Sequence, residues 1–426
     1  MNIALLFGVF FVLVMLSVPI GVSLGVATSL TLVLTSNIGP IMVAQKAFTG
    51  LDSFTLIAIP FFMLAGNLMA LGGIARRIVN MADAAVGKFT GGLGMATIIG
   101  CMFFAAISGS GPATVTAMGS IMLPEMEKRG YDKGFSTGLT ATAGTIGVII
   151  PPSIPFVIYG VASGTSVGDL FKAGFIPGIL IGIALMIVCY IISKKQGYKG
   201  SEHSQNGKTS FLRTFFDSLP ALMAPVIILG GIYGGIFTPT EAAVVATVYS
   251  LIVGKFVYHE LTWKIVLESY RSTADMNGFT GLALGFSMSF ASYLAMEQIP
   301  SKVAGVLLGT ISSKWALLLL IIVILLVVGC FVDNISSCLI LTPVFLPIIT
   351  GIGMSPVHFG IMMTVALAIG FVTPPYGVNL FVASAVAKLK IEVVSKAAIP
   401  FIGAMLVCLL LIAFIEPISM LLVWLL

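Results

Sequence analysis

Long apolar stretches separated by short polar segments run along the whole chain. They occupy approximately residues 3–18, 20–34, 54–75, 90–107, 114–124, 135–163, 174–193, 219–236, 239–257, 276–297, 315–332, 338–349, 357–386 and 397–423. A transmembrane β-strand needs only roughly 9–11 residues of alternating polarity, whereas a spanning helix needs about 20 apolar residues. The uninterrupted apolar character of these stretches therefore predicts an all-α polytopic membrane protein.

Several stretches depart from a simple membrane span. The stretch 114–124 would reach only about 16 Å as a helix, against a hydrocarbon core of about 30 Å. Two longer stretches, 135–163 and 357–386, are interrupted by Pro151-Pro152 and Pro374-Pro375. A short uncharged arm followed by a broken helix is typical of a duplicated transporter, in which such elements line the transport site.

An internal repeat appears when the sequence is shifted along itself. One constant shift, without a gap, aligns Leu123-Pro124 with Leu346-Pro347, Gly147 with Gly370, Pro151-Pro152 with Pro374-Pro375, and Ile176-Pro177 with Ile399-Pro400. We call this the repeat alignment. Proline is costly inside a helix, so a matched pair of double prolines is not expected from apolar composition alone. The repeat alignment predicts a first repeat at 1–193, a linker at 194–217 and a second repeat at 218–426.

The basic residues predict the orientation. With 108–113 and 333–337 as the tips of two re-entrant helical hairpins, all but four of the 21 Lys and Arg residues fall on one side. The exceptions are Lys46, Lys172, Lys302 and Lys314. The positive-inside rule makes the rich side cytoplasmic. The hairpins then open to opposite sides, so the repeats are inverted and both termini are periplasmic.

Composition excludes several other classes. Hydrophobic residues make up 58% of the chain and charged residues 9%, which is too little polar surface for a soluble globule. The net charge of +5 is scattered over loops, so nucleic acid is not an expected partner. The chain has no nucleotide-binding P-loop motif, and Gly109-Ser110-Gly111 has no histidine at comparable depth to form a hydrolase site. We therefore expect no enzyme, no nucleotide and no transition metal.

The two hairpin tips carry the candidate chemistry. The first contains Ser108, Ser110 and Thr114, and the second contains Asp333, Asn334, Ser336 and Ser337. Backbone groups that are unwound at membrane depth need partners, and oxygen-rich sites suit a small hard cation. The double-proline breaks would expose further groups opposite each tip, including Thr145 and Gly147 in one repeat and Gly370 and Thr373 in the other.

Simpler roles remain open for the same residues. A serine or threonine can bond back to its own helix, and Asp333 can cap the next helical arm. Segments 35–53 and 258–275 separate the second and third helices of each half, and the latter has the composition of a membrane-surface helix. His203, His259 and His358 lie at predicted loops or helix ends, which predicts solvated side chains.

The motifs together resemble a known family. Ser-Gly-Ser-Gly-Pro-Ala-Thr at 108–114, Ile-Pro-Pro-Ser at 150–153 and Val-Thr-Pro-Pro-Tyr-Gly at 372–377 resemble the large membrane (M) subunit of tripartite ATP-independent periplasmic (TRAP) transporters. The likeness covers essentially the whole chain. It implies a sodium-driven importer of the bacterial inner membrane with an elevator mechanism. Its implied partners are a small four-helix membrane subunit (Q) and a periplasmic substrate-binding protein (P).

The resemblance also implies an organic-acid substrate, with sialic acid as the first expectation and a C4-dicarboxylate as the second. It places sodium and substrate at the tips and breaks, so we predict one sodium site per repeat. All five arginines lie outside the hairpins and broken helices. The predicted donors to the substrate carboxylate are therefore Ser153, Tyr376, Gly377 and Asn379, helped by half-helix dipoles. Ser153 and Asn379 acting only as helix caps is the alternative.

Two other transport classes stay open at this point. A stand-alone sodium-coupled carboxylate carrier would share the same physics without partner subunits. A channel would need a continuous polar path rather than tips and breaks that enclose a site.

Overall fold

The computed structural model describes residues 2–36, 38–200, 211–311 and 313–426, and within these ranges it contains helices and no strand. His203 lies outside the described residues. The α-helices are α1 (Asn2–Met15), α2 (Ile20–Thr35), α3 (Ile41–Leu51), α4 (Ala58–Leu71), α5 (Ile74–Val86), α6 (Gly92–Ser108), α7 (Gly111–Lys128), α8 (Lys133–Ala143), α9 (Ile154–Ser163), α10 (Val167–Gln196), α11 (Phe211–Tyr233), α12 (Pro239–Ile252), α13 (Trp263–Met296), α14 (Ile299–Thr310), α15 (Lys314–Phe331), α16 (Asn334–Gly351), α17 (Pro356–Gly370), α18 (Val378–Ala387), α19 (Ile391–Phe414) and α20 (Pro417–Leu425). Among the described residues, eight helical segments are long and apolar enough to cross a membrane. The predicted all-α polytopic fold is confirmed.

The same order of elements occurs twice. The repeat alignment places both ends of α7 on the ends of α16, and α9 and α18 each begin just after a double proline. Both breaks contain a cis bond, Pro151-Pro152 and Pro374-Pro375. The predicted tips also match, because α6 ends at Ser108 before α7 begins at Gly111, and α15 ends at Phe331 before α16 begins at Asn334.

The repeats differ in the helices that precede the hairpins. In the first repeat, α3 and α4 are separate and a 3-10 turn, Phe54–Ile57, precedes α4. Pro60 has no amide proton. It therefore cannot donate to the Leu56 carbonyl, as it would have to if the Phe54–Ile57 turn were part of an α-helix. In the second repeat, α13 is one continuous helix of 34 residues that contains no proline. The predicted separation of segment 258–275 from the following span is therefore wrong, since from Trp263 onward the segment is the first part of α13. Its membrane-surface location stays a prediction.

The two hairpins also pack differently. Helices α6 and α7 lie against each other, and α6 also packs on α5. In the second repeat, α15 packs mainly on α17, whereas α16 packs on α9, α13 and α14. The first hairpin is therefore closed along its length and the second is splayed.

A charged cluster joins α5 to α11 and to the segment before α13. The Arg77 guanidinium pairs with Glu260, lies 3.8 Å from Asp217 Oδ2 and sits 3.7 Å from the centre of the Tyr258 ring. Only 17% of the Arg77 side chain is exposed, against 65% for its neighbour Arg76. Removing one partner of such a partly buried cluster leaves carboxylates without compensation.

We expect Arg77→Ala to lower the free energy of unfolding by about 1–3 kcal/mol, between the values for exposed and buried pairs. The measurement is the thermal unfolding midpoint of the detergent-purified protein. Arg76→Ala is the matched control, because Arg76 is mostly exposed and lies 3.9 Å from Glu260. Equal losses in both variants would show that the cluster adds no stability beyond a surface ion pair.

Candidate functional site

The first hairpin tip gathers three oxygen atoms. The Ser108 and Thr114 hydroxyl oxygens are 3.0 Å apart, and the Thr114 hydroxyl donates to the Ser110 carbonyl at 2.8 Å. Gly109 ends α6 with φ +61°, a conformation that favours glycine and turns the chain into α7. Ser108 and Thr114 are buried. Their oxygens therefore form a compact, internally hydrogen-bonded group.

The unwound end of α8 lies directly against this tip. Residues Gly144–Val148 form a 3-10 turn, and a Cβ added to Gly147 would be 2.5 Å from Thr114 Oγ1 and 2.6 Å from the Ser110 carbonyl oxygen. The Thr145 hydroxyl is directed elsewhere: it donates to the Thr142 carbonyl at 2.6 Å and lies 3.7 Å from Met405 Sδ. The structure brings Gly147 to the tip but not the Thr145 side chain.

The first break is closed over the tip. Pro151, Pro152 and Ser153 are buried, and the Ile154 amide donates to the Gly109 carbonyl at 3.2 Å. The Ser153 hydroxyl donates to the Val148 carbonyl at 2.6 Å and accepts from the Phe156 amide at 3.4 Å. Ser153 thus caps α9, as the alternative role predicted, and both hydrogen bonds are satisfied within its own segment.

The second tip holds polar atoms that lack partners. Asp333 caps α16, because its Oδ2 accepts from the Ser336 amide at 3.0 Å. The Cys338 thiol donates to Asn334 Oδ1 at 3.3 Å. Asn334 Nδ2 and the Ser336 and Ser337 hydroxyls are buried without a hydrogen-bond partner in the described residues. A buried unsatisfied polar group costs about 1–3 kcal/mol, so these groups are suited to a polar ligand.

The second break is open where the first is closed. Pro374, Pro375 and Tyr376 are exposed, and 53% of Tyr376 is accessible. The Thr373 hydroxyl donates back to the Ile369 carbonyl at 2.7 Å, which is the local bond that the simpler alternative predicted. Gly377 precedes α18 with φ +39°.

Gly370 marks another close backbone approach. A Cβ added there would lie 2.5 Å from the Gly329 Cα of α15. The first arm of the second hairpin therefore touches the end of α17, just as the first tip touches Gly147.

Asn379 connects the second break to the first hairpin. Its Nδ2 donates to the Ala141 carbonyl of α8 at 3.3 Å, while its Oδ1 is buried and has no partner among the described residues. A Cβ added to Gly111, next to Ser110, would lie 3.2 Å from both amide atoms. Asn379 is therefore not a cap: it lies beside the other repeat's tip with one acceptor free.

Sequence reasoning missed Thr364. Its buried hydroxyl on α17 also lacks a hydrogen-bond partner within the described ranges. The repeat alignment places Thr364 on Ala141, whose carbonyl accepts from Asn379. No sequence signal marks Thr364, because the link between Ala141 and Asn379 is visible only in the structure.

The donor set is neutral. Apart from Asp333, these candidates are hydroxyls, amides and carbonyls. The described residues contain no group of three His, Cys, Asp or Glu side chains that could hold a metal ion. Oxygen donors of this kind suit a hard cation, and free amide donors suit an oxyanion. All five cysteines are buried and unpaired, consistent with small apolar residues.

Comparisons with known proteins point to one family. The family model described as "Tripartite ATP-independent periplasmic transporter, DctM component" matches residues 7–418. The C4-dicarboxylate TRAP transporter large permease protein DctM of Pseudomonas aeruginosa is 42% identical, with 93% of each chain covered. The sialic acid TRAP transporter large permease protein SiaM of Vibrio cholerae is 38% identical over 95% of this chain and 94% of its own.

A longer relative and a solved structure add to this. The isethionate TRAP transporter permease protein DctMQ of Oleidesulfovibrio alaskensis is 48% identical over 97% of this chain, which spans 65% of that protein's length. The crystal structure of the Alcanivorax borkumensis YdaH transporter is similar in fold, with a TM-score of 0.60 at 15% identity over 86% of this chain and 87% of that one. The predicted TRAP resemblance is confirmed: this chain belongs to the DctM family, the large permease component of TRAP transporters.

Proposed function

We propose that this chain imports a small organic acid together with sodium, as the transport-pathway subunit of a TRAP system. The observation that carries the proposal is the set of buried, unpartnered polar atoms at the second tip and at Asn379. Such atoms cost about 1–3 kcal/mol each unless a ligand or water satisfies them. Their position at a hairpin tip and a broken helix suits a transport site.

The cation sites of this proposal lie one in each repeat. The first is formed by the oxygens of Ser108, Ser110 and Thr114 beside Gly147. The second uses Asn334, Ser336 and Ser337, with Asp333 supplying the only carboxylate, near Gly370 and Thr373. Because the Thr145 hydroxyl donates to the Thr142 carbonyl, only the backbone of Thr145 is available to the first site.

The substrate anion lies between the second break and the first tip in this proposal. Asn379 reaches both, and the exposed Tyr376, two residues before α18, leaves room at the start of that helix. The N-terminus of α18 offers free amides and a positive dipole end to an oxyanion. Ser153 caps α9 and does not bind the anion, because its hydroxyl already donates to the Val148 carbonyl and accepts from the Phe156 amide.

The substrate proposed first is a small acid of the isethionate or C4-dicarboxylate class. Relatives named for these substrates are 48% and 42% identical to this chain, against 38% for the relative named for sialic acid. Sialic acid, the expectation from the motif resemblance, remains a prediction to be tested beside them.

The proposed assembly comprises a small membrane subunit, a periplasmic substrate-binding protein and this chain in the bacterial inner membrane. Both termini are periplasmic, the repeats are inverted, and the hairpins and broken helices move together against the remaining helices as an elevator. The family to which the chain belongs supports this assembly, and the basic-residue distribution supports the orientation.

The test is uptake into proteoliposomes that contain this chain and the small membrane subunit from the same organism. Isethionate, succinate and sialic acid are each offered with and without the binding protein and an inward sodium gradient. Accumulation that requires both would support the proposal. Accumulation without the binding protein would favour the stand-alone carrier, and equilibration without accumulation would favour a channel.

We expect Asn334→Ala and Ser110→Ala to raise the sodium concentration for half-maximal uptake severalfold. The first change removes a buried amide of the second tip, and the second removes the Ser110 hydroxyl from the first tip, beside the Ser108 and Thr114 oxygens. Thr116→Ala is the control, because the exposed Thr116 hydroxyl bonds only to the Pro112 carbonyl of its own helix. Unchanged sodium dependence in both test variants would remove the assignment.

A further inference from the structure

A separate cavity lies at one end of the second repeat, away from the tips and breaks. Its volume is about 250 Å³, below the roughly 300–1,000 Å³ of sites for drug-sized ligands, so it suits a small group. The lining residues come from the starts of α15 and α17, the segment before α17, the end of α19 and the short segment between α19 and α20. They are Lys314, Trp315, Leu318, Met354, His358, Ala413, Phe414 and Glu416.

The cavity sits where two membrane spans end. Lys314 and Trp315 begin the candidate span Lys314–Phe331, and Ala413 and Phe414 end the candidate span Ile391–Phe414. Lysine and tryptophan at such positions are typical of the membrane–water interface. The cavity is therefore at headgroup level rather than within the hydrocarbon core.

The first repeat fills the equivalent place with its own chain. The repeat alignment pairs Tyr131 with Met354 and Phe135 with His358. Tyr198 packs there, with its ring centre 4.3 Å from that of Tyr131 and 5.5 Å from that of Phe135. The Tyr198 hydroxyl also accepts from the Asp132 amide at 2.9 Å. The first repeat thus has an aromatic plug where the second has a cavity.

Among the residues that the structure describes, the second repeat has no equivalent aromatic side chain in this place, because the chain that follows α19 takes a different direction. After α19 ends at Phe414, α20 begins at Pro417 and packs along α10. Ser419 of α20 bonds to His358 Nδ1, and His358 Nε2 faces the Ala413 carbonyl at 3.3 Å. His358 is consequently buried, so the predicted solvated histidine is wrong, and neither ring nitrogen is free for a ligand.

Two opposite charges at the rim remain available. Lys314 and Glu416 both line the cavity, yet within the described ranges neither side chain forms an ion pair or a hydrogen bond, with the other or with any third residue. The Trp315 and Phe414 rings, 4.7 Å apart, form an apolar wall beside them. An amphipathic cavity with one free cation and one free carboxylate matches a ligand that carries both charges.

We propose that this cavity binds the headgroup of a zwitterionic phospholipid with a primary amine, such as phosphatidylethanolamine. The phosphate pairs with the Lys314 ammonium, and the lipid ammonium donates to the Glu416 carboxylate. The acyl chains run along the exposed apolar surfaces of α15 and α19, which include Leu319, Val323 and Val407. A choline headgroup has no N–H donor for Glu416, and a glycerol headgroup has no positive charge.

The experiment measures the thermal unfolding midpoint of the purified transporter, with its partner subunits, after delipidation. Dioleoyl phosphatidylethanolamine, phosphatidylcholine, phosphatidylglycerol and free phosphoethanolamine are added separately at equal concentration. We expect phosphatidylethanolamine to raise the midpoint most. Lys314→Gln should remove most of this increment, and Glu416→Gln should remove the preference for ethanolamine over choline. Lys302→Gln, an exposed lysine outside the cavity, should change neither.

Native mass spectrometry of lipids retained before delipidation provides the second measurement. Wild type should retain phosphatidylethanolamine at least several-fold more often than either cavity variant. Equal shifts from ethanolamine and choline lipids in the wild type, or equal retention in all variants, would overturn the proposal. A full shift from free phosphoethanolamine would replace the lipid with a soluble zwitterion and would overturn the lipid assignment.

Discussion

Replacing Asn379 with alanine should reduce uptake roughly 10- to 100-fold while the protein still inserts and folds. Asn379 is fully buried and lies beside Gly111 of the first tip. Its Nδ2 donates one hydrogen bond, to the Ala141 carbonyl, so the second N–H can donate to the substrate anion, while the unpartnered Oδ1 can accept from a substrate hydroxyl. A hydrogen bond to a charged ligand contributes about 1.5–3 kcal/mol, and each 1.4 kcal/mol is a factor of ten in affinity. The measurement is initial uptake in the reconstituted system at saturating sodium.

A matched control separates this role from a packing role. Ser384 lies on the same helix, α18, and its hydroxyl donates to the Leu389 carbonyl. Ser384→Ala should therefore change transport little. Substrate affinity, measured with and without sodium, should fall in Asn379→Ala alone. Wild-type affinity in that variant would show that the anion is held elsewhere.

Replacing Gly147 with alanine should nearly abolish transport. Alanine is the better helix former, so local propensity favours the change, and any loss must come from contacts. The new Cβ would approach Thr114 Oγ1 to 2.5 Å and the Ser110 carbonyl oxygen to 2.6 Å, which forces the first tip away from the broken helix. Overpacking of this kind costs typically about 1–3 kcal/mol. The displaced atoms are the oxygens of the proposed first cation site.

Gly403→Ala is the control for this prediction. Gly403 lies within α19, and no atom outside its own neighbourhood is within 4 Å of an added Cβ. Gly370→Ala should behave like Gly147→Ala, because its Cβ would meet the Gly329 backbone. Retention of normal sodium-dependent uptake by both Gly147→Ala and Gly370→Ala would mean that neither close approach matters for the transport cycle.

The parts of the fold that depend on backbone chemistry could be predicted from the sequence. The double prolines place both helix breaks, because proline cannot continue an α-helix wherever it lies in the fold. Ser108 ends α6 and Asn334 begins α16, as the composition of the tips predicts. The internal repeat is also a property of the chain alone, since the matched prolines reveal it without any structure.

The direction of individual side chains could not be predicted in the same way. A hydroxyl near a break can satisfy its own segment, as Ser153 and Thr145 do, or face a ligand. Spacing does not distinguish these outcomes, since the choice depends on rotamers and on neighbours distant in sequence. His358 is buried for a similar reason: its partner Ser419 belongs to α20, whose turn toward α10 no local pattern predicts.

The unbroken α13 has a consequence for how deeply the protein sits in the bilayer. Its 34 residues extend about 51 Å, about 20 Å more than the hydrocarbon core. The charged residues Lys264, Glu268, Arg271 and Asp275 all lie in its first part, and the residues from 277 to 296 carry no charge. Sinking the helix would bring these charges into hydrocarbon, at up to about 2.5–3.5 kcal/mol each at the bilayer centre. The boundary near Asp275 therefore fixes the vertical position of α13, which gives the second hairpin, packed on it through α16, a fixed surface against which to move.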